Sequence, residues 1–69
     1  MTEIPLASAR RIIRKSGAIR ISADADAELA KLMEEHALVL AREARKLSAH
    51  AGRKTVTGHD IRMAAEILK

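Results

Sequence analysis

The 69-residue sequence has no cysteine, phenylalanine, tyrosine or tryptophan, and only one proline and three glycines. Without cysteine there is no disulfide framework, and three scattered histidines do not supply a structural zinc site. No metal and no cofactor is expected. Without aromatics, the core must be built from Leu, Ile, Val, Met and Ala. That palette suits close helix packing and suits a β-sandwich badly. No apolar run approaches the ~20 residues of a membrane span, and no basic region followed by a signal-like apolar stretch opens the chain. The expectation is a soluble, all-α, cytoplasmic chain with no membrane partner.

A single domain spanning residues 1–69 is marginal at this size, because short chains bury a modest fraction of their surface. With disulfides and metals set aside, oligomerisation is the remaining route to stability. The helical pattern agrees. Ser22 to Ala51 reads as one uninterrupted helix, with Asp24, Asp26 and Glu28 near its positive N-terminal end. Roughly thirty residues make a rod of roughly 45 Å. A compact chain of this length has a radius of gyration of only about 11 Å. Leu29, Met33, His36, Leu40, Ala44, Leu47 and Ala51 form a seam at helical spacing, with Ala30, Ala37, Ala41 and Ser48 beside it. A seam this long needs a partner of similar length, and a second copy of the chain is the best candidate.

Around the rod, a short helix is expected from about Ser8, with Ala9, Ile12 and Ile13 on its apolar side and Gly17 ending it. Residues 1–7 read as a tail. Ala18 to Ile21 form an extended connection containing Arg20. Gly52 ends the rod, Arg53–Lys54–Thr55–Val56 forms a second extended connection, and Thr57 caps a final helix with Asp60 at N3. The order is short helix, basic loop, long helix, basic loop, short helix.

Net charge is +4, arranged in blocks. Residues 1–21 balance to +4, residues 22–41 to −4, residues 42–54 to +4, and the remainder is neutral. Such blocks fit either solvated helix faces or a polyanionic partner gripped at defined places.

The run Ala51–Gly52–Arg53–Lys54–Thr55–Val56, followed by Asp60–Ile61, resembles the end of an archaeal histone. The resemblance continues through Ile4–Pro5, Arg11–Ile12–Ile13, Gly17–Ala18, Arg20 and Ser22, and covers essentially the whole chain. It implies a tail-less histone fold in which two chains clasp head to tail as an intertwined homodimer. The first loop of one chain would then lie beside the second loop of the other. By this resemblance Arg20 enters the DNA minor groove, held by the Thr55 hydroxyl, while Lys54, Arg11 and Arg14 contact phosphates. Arg53 belongs to the same DNA-binding group and serves partly as an ion-pair partner of Asp60. His50 is implied to meet Asp60 across a dimer–dimer contact, with Leu47 and Met63 adding apolar surface. That contact would extend the dimer to tetramers or filaments. Ala49, Gly58 and Ser8 depart from the family's usual residues, and none of them touches the Arg20/Lys54/Thr55 group.

The function so implied is a chromatin protein that wraps double-stranded DNA without sequence preference and sits on the chromosome. A paralogue is an alternative partner to a second copy. A competing reading is a histone-fold dimerisation subunit of a transcription-factor assembly, whose mark would be loss of the basic loop residues. A helix-turn-helix regulator is disfavoured, since the last helix offers only His59, Arg62 and Glu66 for base reading. Ser48, His50 and Asp60 supply the residue types of a catalytic triad, but nothing suggests an oxyanion hole, and no enzymatic activity is expected.

Overall fold

Among the described residues, three α-helices make up the regular structure: α1, Leu6–Lys15; α2, Ala23–His50; and α3, Gly58–Ile67. They are seen in a computed structural model that describes residues 3–69. Of the expected N-terminal tail, residues 1 and 2 lie outside the described residues.

Helix ends follow local capping chemistry. Pro5, at φ −62°, is the N-cap of α1, and its carbonyl accepts the N–H groups of Ser8 at 3.1 Å and Ala9 at 3.3 Å. The helix therefore starts at Leu6, before the start near Ser8 that the apolar spacing predicts. The difference arises because Leu6 is exposed, so helical structure begins ahead of the buried stripe, which opens at Ala9. Gly17, at φ +99°, lies just past the α1 cap residue Ser16. Gly52, at φ +72°, lets the chain leave α2 in the left-handed region that L side chains resist. Around it the Gly52 N–H donates to the Ala49 carbonyl at 3.0 Å, and the Arg53 N–H donates to the Ser48 carbonyl at 3.0 Å. Those two bonds make a Schellman motif.

The chain forms two compact units, Met1–Glu35 and His36–Lys69, divided inside α2. In the first, Ala9 of α1 and Ala30 of α2 are fully buried. Arg10 Nε donates to Asp26 Oδ2 at 2.7 Å, and the Glu3 N–H donates to Glu34 Oε1 at 2.6 Å. Asp26 is only 7% exposed, and its Oδ1 accepts no hydrogen bond. At the start of α2 the Ser22 hydroxyl donates to Asp24 Oδ1 at 2.6 Å. In the second unit, Ala44 of α2 and Ala64 of α3 are fully buried, joined by Ser48 and Asp60. Small side chains at the contacts allow closely spaced helices.

The apolar seam of α2 is only partly covered. Leu29, Met33, Leu40 and Leu47 are half-buried, while the seam positions His36 and Ala51 are exposed. Among the described residues no large apolar side chain is fully buried. Leu6, Ile12, Leu32, Leu38, Val39 and Ile67 are each about half exposed, and Ile19 is 97% exposed. Complete burial of such a side chain is worth about 1.5–3 kcal/mol, so covering each exposed half is worth roughly 1 kcal/mol. The single chain leaves that stabilisation unrealised. The connections, expected to be extended, form no strand among the described residues: the first bends at Ile19 and the second at Lys54 and Thr55, where no neighbouring edge pairs with them.

Candidate nucleic-acid interface

The second connection is ordered by contacts that close on themselves within five to twelve residues of Ser48. Ser48 is 2% exposed, and its hydroxyl lies 3.0 Å from both the Arg53 and the Thr55 carbonyl oxygens. One hydroxyl proton is shared between two acceptors. Arg53 then turns its guanidinium onto α3. Nη2 donates to Asp60 Oδ1 at 2.8 Å, and Nη1 donates to Asp60 Oδ2 at 3.0 Å and to the Thr55 carbonyl at 3.1 Å. This two-pronged pair matches the planar fork of arginine to a carboxylate.

Asp60 also completes the capping box of α3. The Thr57 N–H donates to Asp60 Oδ2 at 2.9 Å, and the Asp60 N–H donates to Thr57 Oγ1 at 3.3 Å. Hydrogen bonds from Arg53 first, and from the Thr57 N–H second, hold the Asp60 carboxyl well below the usual carboxylate range. The bond to Asp60 pushes the Arg53 guanidinium up from its ordinary value. Asp60 is 2% exposed and already accepts three hydrogen bonds. A carboxylate has about four acceptor positions, which leaves one for any other donor.

The result is a fastened loop that presents Lys54 and Thr55, both exposed, at the end of α2. Arg53, placed with the DNA-binding residues by resemblance, commits three of its five N–H donors inside the chain. Arg11 and Arg14 are exposed on α1, and Arg20 is exposed in the first connection. Among the described residues none of these three forms an ion pair. Of the residues implied for a dimer–dimer contact, His50 is exposed, Met63 is 43% exposed and Leu47 is half-buried.

Two contributors escape sequence reasoning. Ser48 reads as one of a line of small residues, yet its hydroxyl fastens the loop. Arg10 and Asp26 read as members of opposite charge blocks, yet they form an ion pair sixteen residues apart. The only sequence signal for either is a polar residue on an otherwise apolar or small-residue face. Ser48 and Asp60 are both committed to the loop, so the triad residue types do not assemble into a nucleophile and base. Among the described residues no cluster of His, Asp or Glu could hold a metal ion, and no helix is long and apolar enough to cross a membrane.

Residues 2–65 match the family described as "Histone-like transcription factor (CBF/NF-Y) and archaeal histone". The chain is 46% identical over 66 residues to a HAN1 archaeal histone of Thermococcus zilligii, covering 96% of this chain and 98% of that protein. It is 44% identical over 64 residues to "Probable archaeal histone 3" of Methanocaldococcus jannaschii, covering 93% and 96% respectively. Three helices in the order short, long, short, with the long helix closed by a fastened basic loop, are the all-α histone fold, and the chain belongs to the archaeal histone family.

Proposed function

We propose that this chain is a DNA-binding chromatin protein that dimerises through its histone fold and wraps DNA without reading sequence. The observation that carries this reading is the fastened second loop, which fixes Lys54 and Thr55 while neutralising the adjacent Arg53 internally. A cation held in place loses less side-chain and backbone freedom on meeting a phosphate, which is what preorganisation contributes to affinity. Arg20, in the other basic connection, supplies the minor-groove arginine, and the Thr55 hydroxyl of a second chain steadies it. Arg11 and Arg14 add phosphate contacts. The exposed apolar residues of α1 and α2 give the second copy its driving force, and a paralogue with the same seam would serve equally. The chain then works on the chromosome, in the cytoplasm.

Stacking of dimers through Leu47, His50, Met63 and Asp60 extends the assembly on longer DNA. Asp60 is nearly buried, so His50 of another dimer would have to reach its one remaining acceptor position at the edge of the Arg53 pair. The family also contains histone-like transcription factors, which keeps the reading as a component of a transcription-factor assembly in play.

The test is binding to a duplex across a salt series. If about six phosphates are neutralised per dimer, log K falls against log salt with a slope near −5. An affinity independent of salt would overturn the reading. The double variant Arg20→Ala/Lys54→Ala should lose DNA compaction while remaining dimeric. Compaction unchanged in that variant would favour the transcription-factor assembly. On DNA of increasing length, Leu47→Glu should limit protection to a single dimer footprint.

A further inference from the structure

The C-terminal half of α2 has two faces of opposite character. Ala44 and Ser48 are buried, with Leu40 and Leu47 half-buried beside them. Arg42, Arg45, Lys46 and Ala49 are exposed and line a groove of about 410 Å³. Their spacing of i, i+3, i+4 and i+7 places all four on one helix face. At roughly 100° per residue, Lys46 lies roughly 160° around the helix from both Ala44 and Ser48. The loop that carries Lys54 and Thr55 is fastened on the Ser48 side. The groove is therefore a second basic surface on a different face, with the short Ala49 side chain leaving room between the cations.

Local helix chemistry does not account for these three charges. Glu43 is the only carboxylate between residues 36 and 54, and it is half-buried. Among the described residues, none of Arg42, Arg45 and Lys46 forms an ion pair. Cations favour the negative end of a helix only within its last turn, and all three lie before it. Arg42 and Lys46 are like charges at i, i+4, a pairing that weakens a helix on its own. A counter-anion on the groove removes that cost, and guanidinium forks match phosphate oxygens in pairs.

We propose that Arg42, Arg45 and Lys46 grip the phosphate backbone of a second DNA duplex, so that the protein bridges duplexes in addition to holding one at its loops. This rests on the DNA-binding reading above. Contacts to phosphate oxygens carry no sequence information, so this grip is independent of sequence.

The experiment binds the full-length protein to a duplex fixed on beads and reads capture of a labelled second duplex across a salt series. Single-duplex binding is measured alongside by fluorescence anisotropy. Capture by the wild type should weaken with salt with a slope of about −2.7 for three phosphates. In Arg42→Gln/Arg45→Gln/Lys46→Gln, capture should fall by about tenfold or more, because these contacts supply its affinity. Single-duplex binding should stay within about twofold, because the loop that carries Lys54 and Thr55 is fastened on the Ser48 side of α2 and none of its contacts involves the three substituted residues. Ala49→Glu sets a carboxylate four residues from Arg45 and three from Lys46 without removing a cation. It should reduce capture as well, and it keeps the test decisive if the triple variant misfolds. Three results would overturn the proposal: no capture by the wild type, capture unchanged in both variants, or single-duplex binding falling in step with capture. Absence of single-duplex binding by the wild type is a different result, and refutes the DNA-binding reading itself.

Discussion

Ser48→Ala separates the positioning of the loop from its charge. The substitution removes one hydroxyl oxygen that lies 3.0 Å from the Arg53 and Thr55 carbonyls. It alters no charge, and alanine is a better helix former than serine, so α2 itself is not weakened. The Thr55 carbonyl keeps a donor, since Arg53 Nη1 still reaches it at 3.1 Å. The Arg53 carbonyl loses its hydroxyl donor, and because Arg53 is exposed, water can replace it. The loss is therefore that of an ordinary internal hydrogen bond, about 0.5–1.5 kcal/mol, with the lower half of that range favoured. If the loop must be ordered to bind, this cost passes directly into affinity as a weakening of about two- to thirteen-fold.

The discriminating measurement is the salt dependence of duplex binding by fluorescence anisotropy, run in parallel with Lys54→Ala. Ser48→Ala should give a log–log line displaced downward and parallel to wild type, because no counterion is released or retained by the change. Lys54→Ala should give a line shallower by about 0.9 for its one phosphate. Far-ultraviolet circular dichroism should show equal helix content in all three proteins. A changed slope in Ser48→Ala, or an affinity equal to wild type, would refute the argument that the hydroxyl acts by ordering the loop.

Two further outcomes follow from the geometry of the same region. In Gly52→Ala a Cβ would meet nothing within 4 Å, so only the left-handed backbone at φ +72° resists it. That costs about 1–2 kcal/mol, offset in part by about 0.4–1 kcal/mol from the stiffer unfolded chain. Urea unfolding at fixed protein concentration should show a net loss near 1 kcal/mol; no loss at all would mean that the Schellman turn can form another way. The second outcome concerns acid. Asp60 is held below the usual carboxylate range, so its contribution is complete above its unfolded value of about 3.9 and disappears as pH falls toward the lower folded value. The stability gap between wild type and Asp60→Asn should be constant from pH 7 to about 5 and narrow below about 4. A gap that persists undiminished to low pH would contradict the lowered value.

What the sequence discloses and what it conceals divide along the range of the interactions. Gly17, Gly52 and the Thr57–Asp60 box act within one helical turn, and each ends or starts a helix where its residue type predicts. The expected limits of α2, Ser22 and Ala51, stand one residue outside the observed helix at each end. The start of α1 is less legible, because the apolar period marks burial and Leu6 is helical without being buried. Ser48 is illegible for a different reason: its acceptors are backbone carbonyls five and seven residues on, and carbonyls leave no mark in a sequence. The Arg10–Asp26 pair is concealed by block counting, which assigns its members to a +4 and a −4 region although they meet at 2.7 Å.

Arg53 and Lys54 show why counting cations overstates the charge a loop offers to a partner. They are adjacent, both basic and both in the run that carries the family resemblance, yet they have different tasks. The left-handed turn at Gly52 delivers the Arg53 N–H to the Ser48 carbonyl and brings its side chain over the start of α3. There both carboxylate oxygens of Asp60 receive it, one of them already bound to the Thr57 N–H. Lys54, at the bend that follows, makes no such contact and stays exposed. The positions are not interchangeable. A lysine at 53 would offer a point charge where a planar fork spans two oxygens, and would lose the second bond as well as the reach to the Thr55 carbonyl. The internal charge of Arg53 is compensated by a nearly buried partner, while Lys54 forms no ion pair among the described residues. One cation in this loop thus sets the geometry in which the next one is presented.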